Sequence, residues 1–108
     1  MQRSNMTIPK ISDSEFNFCL VLWEYEPITA AALSKICKEK FIWSRTTTYT
    51  VIRRLESRGV VKRTDSVVTS LYSKEQFQLS AIEELLEKRF NNSIPDFINA
   101  IRKSQINS

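Results

Sequence analysis

The sequence predicts a mainly α-helical fold carrying one small β-hairpin. Three observations predict it. Residues 44–59 read as one capped, amphipathic helix. Residues 60–73 abandon the helical period for β-branched runs around a short polar turn. The whole chain of 108 residues holds one Gly and three Pro, too few for a turn-rich β-fold or a flexible linker.

Residues 1–10 lack periodicity and read as a mobile arm, since Pro9 discourages helix just before it. Ser12-Asp13-Ser14-Glu15 matches the capping box S-x-x-E, with Ser12 as cap and Glu15 at N3. Phe16, Cys19, Leu20 and Trp23 follow at helical spacing, and Val21 and Leu22 widen the apolar side. The first helix is therefore expected over 13–25, largely buried, and ended by Pro27. Ile28 is a short extended residue, and Thr29 caps a second helix over 30–40 with Leu33, Ile36 and Cys37 facing inward. Phe41-Ile42-Trp43 forms a brief apolar turn.

Ser44 then opens the central helix, and Gly59 suits the position just past its end. Thr48, Val51, Ile52 and Leu55 line one stripe at i, i+3, i+4 and i+7. The opposite face carries Thr46, Thr50, Arg53 and Ser57, with Tyr49 and Arg54 on its shoulders. Glu56, the only carboxylate in this helix, lies towards the apolar side. A solvated helix face ordinarily interleaves Glu with Lys. This one offers the hydroxyls and guanidiniums that reach phosphates, base edges and thymine methyls.

Two short helices, a tight link and this third helix make a helix-turn-helix. Val60–Thr64, a turn at Asp65-Ser66 and a returning strand over 67–73 add a hairpin, which completes a winged helix. Lys62 and Arg63 would lie along the phosphate backbone. From Lys74 the helical period returns, with Phe77, Ala81, Ile82, Leu85, Leu86 and Phe90 in a broad apolar stripe. Asn91-Asn92-Ser93 breaks it, Pro95 suits the start of another helix, and Phe97, Ile98 and Ile101 continue the apolar side. A small winged helix has little core left to cover this stripe, so it reads as a dimer contact, the alternative being packing back on the domain's own first helix. The organisation is a winged-helix domain over 1–73 and helical dimerisation segments over 74–108.

Charge separates the same halves. Residues 40–63 hold seven basic residues against one acid, whereas residues 75–108 hold four against five. The candidate DNA-binding set is Arg45, Thr46, Thr47, Tyr49, Thr50, Arg53, Arg54, Arg58, Lys62 and Arg63. The chain has no histidine, which removes the usual general base and the commonest metal ligand. Cys19 and Cys37 sit singly inside helical patterns and read as core. No catalysis, cofactor or metal is expected. No run approaches a membrane span or a signal-peptide core, which predicts a cytoplasmic protein.

Ile11-Ser12-Asp13-Ser14-Glu15-Phe16, Leu22-Trp23, Trp43-Ser44, Thr47, Leu55, Gly59-Val60-Val61 and Tyr72-Ser73 together resemble the penicillinase-repressor family of BlaI, MecI and CopY. The resemblance covers residues 11–73 without a gap and extends more loosely over 74–102. It implies a cytoplasmic bacterial repressor, a homodimer that binds an inverted-repeat operator in double-stranded DNA. By position, the family's base-reading sites fall on Thr46, Thr47, Tyr49 and Thr50. MecI-type members carry a basic residue where Tyr49 stands and Lys where Thr46 stands, so their operator sequence does not carry over. A regulatory protease cuts such relatives at an Asn-Phe bond, whose place is taken here by Asp96-Phe97. The C-terminal cysteine cluster of copper-responsive relatives has no counterpart in these residues, which also end a helix early. A winged helix used only for protein contact is the alternative, and it would not need the acid-free face.

Overall fold

A computed structural model describes residues 8–106, so most of the expected arm at 1–10 lies outside the described residues. The order is α1 (Asp13–Tyr25), β1 (Ile28–Thr29), α2 (Ala30–Phe41), α3 (Arg45–Ser57), β2 (Val61–Thr64), β3 (Val67–Ser70), α4 (Lys74–Arg89) and α5 (Ile94–Ile106). The described residues fall into two compact units, one up to Lys74 and one from Glu75.

In the first unit, α1 begins on the expected capping box. Ser12 Oγ accepts from Glu15 N at 3.1 Å, and Glu15 Oε1 accepts from Ser12 N at 2.9 Å. Its buried face differs from the expected stripe. Glu15, Phe18, Cys19, Val21 and Leu22 point inward, whereas Leu20 is exposed and Phe16 and Trp23 are half-buried. Aromatic packing accounts for this rotation. Phe18 stacks on Trp43 at 6.1 Å, while Phe16 and Trp23 meet edge to face at 5.6 Å on the flank. Trp23 Nε1 also donates to the Tyr72 carbonyl at 2.9 Å, which keeps its ring at the border of the core.

Ile28 and Thr29 form a full third strand, so the expected hairpin becomes a three-stranded antiparallel sheet of order β1-β3-β2. Ile28 pairs with Val68, and Val61 with Ser70. The returning strand ends at Ser70, short of the expected residue 73; there the Glu26 carboxylate takes the Ser70 N–H at 2.7 Å, and Leu71 N still donates to Val60 O at 2.9 Å. The turn at Asp65-Ser66 has no glycine, yet both residues have positive φ (51° and 70°), the geometry of a two-residue hairpin turn.

The core is Phe18, Leu22, Leu33, Ile52, Leu55, Val60, Val61 and Val68 with Thr48, Cys19 and Cys37, all below 2% exposed. Burial raises both thiols. Cys19 is pushed up to about 12 by burial, with the Glu15 and Glu26 charges adding to it. Cys37 is raised by burial against an opposing contribution from the Thr48 hydroxyl.

In the second unit α4 closes on Asn91 and Asn92, both left-handed (φ 51° and 60°). Ser93 Oγ caps α5 by accepting from Asp96 N at 3.2 Å, and Phe90 meets Phe97 edge to face at 5.5 Å. Of the expected dimer-contact residues only Phe77 is buried. Ala81, Ile82, Leu85, Ile98 and Ile101 are exposed, and Leu86, Phe90 and Phe97 are half-buried. Leu79 and Ile94, absent from that set, join Ile82, Leu86, Phe97 and Ile98 in lining a groove of about 640 Å³.

The end of α3 gives a stability prediction. Gly59 N donates to Glu56 O at 3.1 Å and Val60 N to Leu55 O at 2.9 Å, the paired bonds of a Schellman motif. Gly59 has φ +76°, and a Cβ there would meet nothing within 4 Å. Gly59→Ala should therefore cost only the left-handed backbone penalty, about 1–2 kcal/mol, read by urea unfolding. Gly59→Asn should cost clearly less.

Candidate nucleic-acid interface

α3 owes its position to its two faces. Thr48, Val51, Ile52 and Leu55 are buried as the stripe predicts, which forces Thr46, Thr50 and Arg53 outward. Ser44 is the cap, extended at φ −69° and ψ 162°, and its Oγ accepts from Thr47 N at 3.1 Å. The Ser44 and Thr47 hydroxyls are 3.0 Å apart.

Six of the expected DNA-binding residues share this open surface: Arg45, Thr46, Thr47, Thr50 and Arg53 are exposed, and Tyr49 is half-buried. Tyr49 is used locally. Its hydroxyl accepts from Arg45 Nη2 at 3.2 Å, and the Arg45 guanidinium carbon lies 5.2 Å from the ring centre. Arg53 Nη2 lies 3.4 Å from Thr50 Oγ1, as its donor. The surface thus presents two guanidiniums steadied by neighbours on the same helix.

Arg54 and Arg58 turn elsewhere. Arg54 Nε donates to Glu15 Oε2 at 2.8 Å, and Arg58 Nη1 donates to Glu15 Oε1 at 3.1 Å. Glu15 is 4% exposed, so α1 meets α3 through a buried carboxylate. Burial pushes its carboxyl up, but the Ser12 N–H and the two guanidiniums outweigh that and hold it below the usual carboxylate value. Sequence spacing marks Glu15 only as a capping acid. Its partners are 39 and 43 positions away, and no local pattern announces them.

On the wing, Lys62 is exposed on β2, while Arg63 Nη2 donates to Glu56 Oε1 at 3.2 Å. Asp65 and Ser66 are exposed at the hairpin tip, which is tied down by Ala30 N donating to Ser66 O at 2.8 Å. Among the described residues, Lys40, Arg45, Arg53 and Lys62 are thus the basic side chains of this segment without an acid partner. The described residues hold no group of three or more His, Cys, Asp or Glu able to bind a metal ion. No described helix is long and apolar enough to cross a membrane.

The family described as penicillinase repressor matches residues 11–108. The chain is similar to the solution structure of monomeric Bacillus licheniformis BlaI in complex with the blaP half-operator. Identity is 26% and the TM-score 0.58, over 65% of this chain and 90% of that one. It is also similar to the solution structure of the DNA-binding domain of the repressor BlaI, at 25% identity and TM-score 0.59, over 70% and 93% of the two chains. No curated protein matches.

The Glu15 cluster makes stability depend on pH in one direction. Because the folded carboxyl titrates below its ordinary value of 4.5, the unfolded chain binds more protons in between. The cluster's contribution is complete above pH 4.5 and drains away as pH falls through the folded value. Glu15→Gln keeps an N3 residue able to close the capping box but loses both ion pairs. It should lower stability by about 1–3 kcal/mol at pH 7, with much less further loss on acidification, measured by denaturant titrations at a series of pH values.

Proposed function

Because the chain belongs to the penicillinase repressor family, we propose that it is a cytoplasmic, homodimeric transcriptional repressor that binds an inverted-repeat operator. The observation that carries this reading is the exposed, acid-free face of α3: Arg45, Thr46, Thr47, Thr50 and Arg53 surround Tyr49 with no carboxylate among them. Two such helices, related by a two-fold axis, would enter successive major grooves on one side of the duplex and so cover a promoter. The half-operator complex of monomeric Bacillus licheniformis BlaI supports DNA as the ligand. The unburied apolar residues of α4 and α5 support a dimer.

Base reading falls to Thr46, Thr47, Tyr49 and Thr50, with Tyr49 also steadying Arg45. The phosphate contacts fall to Arg45, Arg53 and Lys62, because Arg54, Arg58 and Arg63 already hold carboxylates. A proteolytic release at Asp96-Phe97 is disfavoured in this reading. That bond lies in the first turn of α5, and Phe97 is packed on Phe90, so a protease would have to unwind the turn first.

Salt tests the DNA contacts. Three phosphates neutralised by each protomer make about six per dimer, so affinity should fall on the order of 10³-fold between 50 and 200 mM salt. Lys62→Gln should make the log–log salt plot shallower by about 0.9 for each phosphate no longer neutralised, whereas Arg54→Gln should leave it unchanged. Salt-independent binding would rule out the reading.

Sedimentation tests the dimer. Replacing Leu85 and Leu86 together with Lys places charge on the apolar face of α4. The double variant should sediment as a monomer with the circular dichroism of a folded winged helix. A persistent dimer would place the interface elsewhere.

A further inference from the structure

We infer that Ile42, in the turn between α2 and α3, is a DNA contact, packed against the deoxyribose face of one strand beside the recognition helix. The inference rests on the DNA-binding reading above and adds a residue outside its site.

Two costs meet at this position, and both come from its being an isoleucine, since Gly or Asn would make the same backbone bond. First, Ile42 has φ 60° and ψ 28°, closing α2 by donating its N–H to Lys38 O at 3.1 Å. The left-handed region is a genuine outlier for a β-branched side chain, whereas Gly or Asn would adopt it with little strain. Second, Ile42 is 84% exposed, the most exposed of the large apolar side chains described. Its neighbours fix its outward aim. Phe41 and Trp43 are both half-buried and pack together at 4.9 Å, and Trp43 stacks on Phe18. The left-handed turn ends α2, but it does not ask for an isoleucine, and residues held in such strained conformations cluster at functional sites.

The location says what the side chain meets. Ile42 stands two positions before Ser44, the cap of α3, and three before Arg45, which opens the exposed face of that helix. When that face enters a major groove, the turn before it lies against the flanking strand. Hydroxyl and guanidinium donors of α3 suit the phosphates of that strand. An isoleucine has no donor, and the apolar surface a backbone offers is the carbon face of its sugars. Such a contact depends neither on sequence nor on counterion release.

The test uses the full chain, a duplex selected from a random-sequence pool by the unaltered protein, and a random duplex of equal length. Ile42→Asn should raise the melting temperature by roughly 3–8 °C, because it relieves the left-handed strain. Ile42→Asn and Ile42→Gly should both weaken binding about tenfold on both duplexes, with the salt slope unchanged. Ile42→Val, which keeps the apolar surface, should bind within about twofold of the unaltered protein. Unaltered affinity in the Asn and Gly variants would overturn the inference, and so would a shallower salt slope. A fall confined to the selected duplex would overturn the sugar contact. If the unaltered protein selects no duplex at all, the DNA-binding reading fails, and that result is separate from the behaviour of the variants.

Discussion

Glu15 accepts hydrogen bonds from three donors: the Ser12 N–H, Arg54 Nε and Arg58 Nη1. One donor starts α1, and the other two sit a turn apart at the far end of α3. A carboxylate 4% exposed is tolerable only when its lone pairs are met in this way. The consequence is geometric. The apolar stripe of α3 fixes which side faces the core, but a stripe of Val, Ile and Leu tolerates sliding and small rotations. Directional bonds to a carboxylate held by its own helix cap do not. The stripe sets which residues of α3 face outward, and an acid on a different helix fixes how far that face can slide or turn.

The same cluster changes what the basic charge of residues 40–63 means. Counted along the chain, the segment is strongly positive. Counted in space, three of its arginines are already engaged, with Glu15 and with Glu56. What remains without an acid partner among the described residues is Arg45 and Arg53 on the outer face of α3, Lys62 on the wing and Lys40 near the end of α2. Internal pairing thus trims a broad positive field to a narrower one, which favours orientation on a duplex over indiscriminate adhesion.

Local signals in the chain were strong for the helices. Ser12 with Glu15, Thr29, and Ser44 with Gly59 bracket α1, α2 and α3, because caps are short-range chemistry readable within four residues. The stripe of α3 was legible for the same reason. The inward face of α1 was not, since aromatic pairing of Phe18 with Trp43 decides it from 25 positions away. The third strand was hidden because two residues, Ile28 and Thr29, carry no period of their own. Its existence depends on Val67 and Val68. In the candidate site, which residues stand on α3 followed from helical geometry. Which of its arginines are free did not, because ion pairs between helices leave no mark in sequence spacing.

The two buried cysteines have a kinetic meaning. A thiol reacts as its thiolate, and burial, which pushes the Cys19 thiol up to about 12, keeps that anion scarce at neutral pH. Cys19 and Cys37 are also sealed from reagents at 0% exposure. Oxidants and alkylating agents can therefore reach them only when the helices part, and the rate of modification becomes a clock for that opening.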